Sequence, residues 1–60
     1  MQVKTTMSSN TDLHKYKKGE LYTVKPVTRS EYLVIDNEKE IICLWDCNFI
    51  YIWDCEVISE

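Results

Sequence analysis

Apolar and polar positions alternate with a period of two through much of the chain, and that spacing predicts strands. Gln2 to Met7 carries β-branched Val3, Thr5 and Thr6, and the alternation puts Val3 and Thr5 on one face. Ser8 to Asp12 is polar and turn-prone, and reads as a loop. Leu13 to Lys18 is too short for a stable helix. It reads as a continuation of that loop, anchored by a single buried Leu13 and closed by Gly19, the one residue free to take a positive φ. Leu21 to Val24 predicts the next strand, with Tyr22 and Val24 on one face, and Pro26 marks a strand end or an edge. Glu31 to Ile35 is a further strand, Asp36 to Lys39 a hairpin turn, and Glu40 to Trp45 the returning strand. Val57 and Ile58 close the set near the C-terminus.

A helix is a poor alternative for the second half. Ile41 to Trp45 would be apolar all round on a helical template, and β-branched and aromatic residues dominate there. Four or five short strands, some apolar on both faces, predict one domain over residues 1–60 whose sheet curls and closes to hide its edges.

The order of these residues resembles a known family. Val3, the polar loop, Leu13, then Lys18-Gly19-Glu20-Leu21-Tyr22-Thr23-Val24, Tyr32-Leu33-Val34-Ile35-Asp36-Asn37 and a Trp-bearing strand is similar to the pattern of small SH3-like barrel proteins encoded by bacteriophages and bacteria. The resemblance implies an all-β fold, a small five-stranded antiparallel barrel with a long first loop. It transfers no active site, since barrels of this kind bind diverse partners.

Length and charge narrow the function. A chain of 60 residues buries only about 60% of its unfolded surface, which favours binding over elaborate catalysis and leaves little room for an enclosed cofactor. No cofactor is implied. The net charge of -3 hides an asymmetry: residues 1–30 hold six basic against two acidic side chains, and residues 31–60 one basic against eight acidic. A formal +4 half thus faces a -7 half. That balance disfavours general phosphate-backbone binding and suggests an acidic face for a basic partner. Three cysteines, Cys43, Cys47 and Cys55, cannot all pair internally, which points to a reducing cytoplasm. The longest apolar runs are five residues, against roughly 20 for a membrane span, so no membrane partner is expected.

A short echo marks the candidate site. Leu44-Trp45-Asp46-Cys47 is answered eight residues on by Ile52-Trp53-Asp54-Cys55. Trp45, Phe49, Tyr51 and Trp53 lie within nine residues, more large aromatics than a thin core can hide. With Asp46 and Asp54 beside them they form a candidate partner-binding face, since Trp and Tyr offer large contact area at low entropic cost.

Other chemistries are weaker. Cys43, Cys47, Cys55 and His14 make a conceivable zinc set, but Cys43 and Cys47 on one strand lie roughly 13 Å apart, too far for one metal. Asp46 with Asp54, or Glu38 with Glu40, lack the cleft that paired-carboxylate catalysis requires. A chain with one glycine has no phosphate-cradling loop. The alternative to protein binding is single-stranded nucleic acid on Lys15, Tyr16, Lys17 and Lys18, where a tyrosine interleaves with lysines. The expected function is therefore a non-enzymatic interaction module, a phage-encoded modulator or inhibitor of a host protein, acting as a monomer or homodimer.

Overall fold

In a computed structural model, which describes residues 1–35 and 49–60, the two-residue alternation becomes strand. The elements are β1 (Gln2–Thr5), β2 (Ser9–Asn10), β3 (Lys15–Tyr16), β4 (Leu21–Pro26), β5 (Glu31–Val34), β6 (Phe49–Tyr51), a 3₁₀ turn (Ile52–Asp54) and β7 (Cys55–Ser59). Among the described residues the fold is all-β, with a five-stranded antiparallel sheet in the order β6-β5-β4-β1-β7 and a separate β2–β3 hairpin. The expected turn at Asp36–Lys39 and strand at Glu40–Trp45 lie outside the described residues.

Among the described residues the longest strand, β4, joins the two ends of the sheet. The first half of β4 pairs with β1 (Tyr22 opposite Val3), and its second half pairs with β5 (Val24 opposite Val34). Pro26 sits at its last position, where an absent N–H disturbs the ladder least. As the alternation requires, Val3 and Thr5 of β1 are buried while Gln2 and Lys4 are exposed. Val3, Tyr16, Val24, Tyr32 and Ile50 form one core cluster. Tyr32 and Leu33 are adjacent yet both buried, so β5 is covered on its two faces.

The first loop departs from expectation. Ser8–Lys18 contains the β2–β3 hairpin, and Leu13 is 47% exposed while His14 beside it is only 7% exposed. The Leu13 carbonyl accepts the Phe49 N–H at 2.9 Å, so the backbone at this point docks on β6 and its side chain is left outside. From there the extended chain sends His14 and Tyr16 inward and Lys15 and Lys17 outward.

Buried Thr5 fixes the base of this loop. Its Oγ1 donates to the Lys17 carbonyl and accepts the Glu20 N–H at 3.1 Å, and its own carbonyl accepts the Gly19 N–H at 2.8 Å. The chain can return to β4 there because Gly19 takes a φ of 87°, as anticipated for the only glycine.

Candidate interaction face

Three aromatic rings are stacked where β6 leads into the 3₁₀ turn. The Tyr51 N-terminal neighbour Ile50 is fully buried, which fixes β6 in the sheet and leaves Phe49 and Tyr51 on the opposite side. The Ile52 N–H then donates to the Ser30 carbonyl at 2.9 Å, and the Cys55 N–H closes the turn on the Ile52 carbonyl. The turn throws Trp53 outward, where it is 64% exposed, and Asp54 inward, where it is 8% exposed.

The inner end of the stack is His14. Its ring lies 3.8 Å from that of Tyr51, at an interplanar angle of 12°, and Tyr51 lies 4.6 Å from Trp53 at 13°. Phe49 meets His14 at 6.4 Å, tilted by 51°. Polar contacts hold the imidazole on both sides. Nε2 is 2.8 Å from Glu31 Oε2, and Nδ1 is 3.2 Å from Thr11 Oγ1. Glu31 also accepts a hydrogen bond from the Thr28 hydroxyl at 3.3 Å. The exposed indole is thus the outer rung of a ladder whose inner rung is buried and hydrogen-bonded.

Asp54 does not rim this face. It accepts a hydrogen bond from the Tyr16 hydroxyl at 2.5 Å inside the protein, because a 3₁₀ turn, with about three residues per turn, rotates each side chain about 120° from the one before it. Burial, followed by the Asp54 carboxylate, holds the Tyr16 phenol well above its ordinary value, so Tyr16 remains a donor. Of the six residues expected to bind a partner, Phe49, Tyr51 and Trp53 come together, Asp54 turns away, and Trp45 and Asp46 lie outside the described residues. His14 and Glu31 join the face unanticipated. The strict alternation of His14-Lys15-Tyr16-Lys17 was the signal for the first of them.

The alternative set also divides. Lys15, Lys17 and Lys18 are exposed, but Tyr16 is 4% exposed in the core and offers no ring on which a base could stack. Both His14 nitrogens are engaged, and among the described residues no group of three or more His, Cys, Asp or Glu is placed to hold a metal ion. Cys43 and Cys47 lie outside the described residues. The half-buried Cys55 thiol donates to the Tyr51 carbonyl at 3.4 Å and is pushed up to about 11, first by burial and then by Asp54. That suppresses the thiolate a nucleophile needs. Among the described residues no helix is long and apolar enough to cross a membrane. Compared with known proteins, the chain matches no protein family, no curated protein and no solved structure.

Proposed function

We propose that this chain is a non-enzymatic protein-interaction module that docks a basic protein surface on the Phe49, Tyr51 and Trp53 face. The observation that carries this reading is the ladder: a 64% exposed tryptophan whose ring is stacked on Tyr51, itself stacked on buried His14. An aromatic already held in place loses little conformational freedom on binding, which is what makes tryptophan a frequent interface anchor. The partner group that fits is an arginine. Its planar guanidinium stacks on an indole, and the -7 charge of residues 31–60 favours its approach. Five antiparallel strands, a long first loop and a β4 that serves both ends of the sheet support the SH3-like barrel as the scaffold. A phage-encoded modulator that occludes a host protein in the cytoplasm is the corresponding role.

The test is capture from bacterial lysate with the parent and with Trp53→Ala, followed by NMR of the Trp53 indole N–H as an arginine-bearing peptide from the captured protein is added. One protein retained through nuclease treatment, lost on Trp53→Ala and moving that indole signal supports the proposal. Nuclease-sensitive material, lost only when Lys15, Lys17 and Lys18 are changed together, sinks it.

A further inference from the structure

An open hollow of about 740 Å³ lies between the β2–β3 hairpin and the start of β4, and no residue of the aromatic ladder lines it. Small-molecule sites have volumes of roughly 300–1,000 Å³. Ser8, Asn10, Lys15, Lys17 and Tyr22 line it, with Glu20 as the one acidic lining residue. Lys15 and Lys17 are two apart on an extended chain and so project to the same side. Neither ammonium has an ion-pair partner among the described residues. The Glu20 carboxylate, by contrast, accepts a hydrogen bond from the Tyr22 hydroxyl at 3.1 Å.

The walls are built before any ligand arrives. The Lys18 N–H donates to Ser8 Oγ at 2.8 Å, which leaves the Ser8 hydroxyl proton to be given elsewhere. The hairpin pairs Ser9 with Tyr16 and Asn10 with Lys15, and the Tyr16 hydroxyl ties it to Asp54. Two ammoniums with no ion-pair partner among the described residues, beside a hydroxyl and an amide, match a phosphate group, which carries up to two charges and several acceptor oxygens. The hollow is too large for phosphate alone, and the half-buried Tyr22 ring supplies a flat apolar wall.

We propose that this hollow binds an organic phosphate of nucleotide size. The Lys15 and Lys17 ammoniums and the Ser8 hydroxyl take the phosphate, and the body of the ligand lies against Tyr22. The same chemistry is presented by a free nucleotide and by a single strand, and none of the residues lining the hollow belongs to the Phe49, Tyr51 and Trp53 face.

The experiment titrates the isotopically labelled full chain with inorganic phosphate, with a 5′-mononucleotide and with a short single-stranded DNA, following backbone amide shifts. The nucleotide is expected to move the amides of Ser8, Asn10, Lys15, Lys17 and Tyr22 saturably. Joint reversal of Lys15 and Lys17 to Glu weakens binding by at least about tenfold, while Lys18→Glu, outside the lining, changes it less than about twofold. Tighter binding of the single strand on the same amides assigns the phosphate to nucleic acid; equal or weaker binding assigns it to a free nucleotide. No saturable shift with either, inorganic phosphate binding as tightly as the nucleotide, or shifts that survive the double reversal overturn the proposal.

Discussion

Replacing Tyr16 by Phe removes a single oxygen from a site where that oxygen has one demanding partner. Tyr16 is 4% exposed and Asp54 8% exposed, and the hydroxyl donates to Asp54 Oδ2 at 2.5 Å. The ring of Phe fills the same core volume, so little packing changes. What is lost is a hydrogen bond to a carboxylate, worth about 1.5–3 kcal/mol, and Asp54 is left short of a donor in a nearly dry place. A chain of 60 residues has a stability of about 3–9 kcal/mol, so the change removes a large part of it. With about 2 kcal/mol lost, the midpoint of thermal unfolding falls by roughly 8–16 °C. Tyr22→Phe is the matched control, since its hydroxyl donates to Glu20 in an exposed bond, and it is expected to cost less than about 0.5 kcal/mol.

The assay is reversible unfolding by heat and by guanidinium at neutral pH, read by circular dichroism. A second arm uses pH. The Tyr16 phenol is raised from its ordinary value of 10.0, so the folded state holds that proton more tightly than the unfolded state. The group therefore stabilises the fold fully below about pH 10, and its contribution is lost as pH rises above that, by up to about 1.4 kcal/mol per pH unit. Tyr16→Phe lacks this slope, and the gap between parent and variant should narrow at alkaline pH. Equal stabilities of Tyr16→Phe and Tyr22→Phe at neutral pH, or a gap that widens above pH 10, would refute the assignment.

Trp53→Ala removes a ring that is 64% exposed and stacked on one neighbour, so denaturation should register about 1 kcal/mol or less while partner capture is abolished. Gly19→Ala meets no atom within 4 Å of the added Cβ but must adopt a φ of +87°; chemical unfolding should show a loss of about 1–2 kcal/mol from backbone conformation alone. Alkylation of Cys55, followed by peptide mass mapping to separate it from Cys43 and Cys47, should be roughly a hundredfold slower at pH 8 than for a thiol of ordinary value, with a midpoint near about 11. A midpoint near 9 is incompatible with the burial described for this thiol.

Where the alternation was regular, the strands were legible: Val3 with Thr5 and Tyr22 with Val24 lie on the faces that a period of two assigns them. The positive φ at Gly19 followed from its being the only glycine. The first loop is not legible from hydrophobicity one residue at a time. Leu13 is the more apolar side chain, yet a one-residue offset exchanges the two faces of an extended chain, and the pairing of the Leu13 carbonyl with Phe49 sets the offset that buries His14. The candidate face had the right aromatics but the wrong carboxylate. Trp53 and Asp54 are sequence neighbours, and a 3₁₀ turn, at about three residues per turn, rotates neighbours onto different sides. Glu31 was out of reach of any local pattern, since its contact with His14 spans 17 residues.

The first loop and the aromatic ladder form one mechanical unit. In a chain with so thin a core, the large apolar side chains at the start of the loop and within it, Met7 and Leu13, are 58% and 47% exposed. Beyond the Thr5 contacts at its base and the backbone bond from Phe49 to Leu13, the loop is held by two polar hooks on one extended segment: His14 on Glu31, beneath Tyr51, and Tyr16 on Asp54, the residue after Trp53. Each hook ends next to a rung of the ladder, so releasing the loop also releases the indole that the proposed partner would meet. Tyr16→Phe, though its hydroxyl is buried away from the binding surface, should therefore weaken partner binding as well as stability, and the loss should appear as faster dissociation of a less ordered Trp53. Calorimetry at a temperature where the variant is fully folded separates this effect from unfolding. Unchanged affinity there would mean that the ladder stands on Tyr51 and His14 alone.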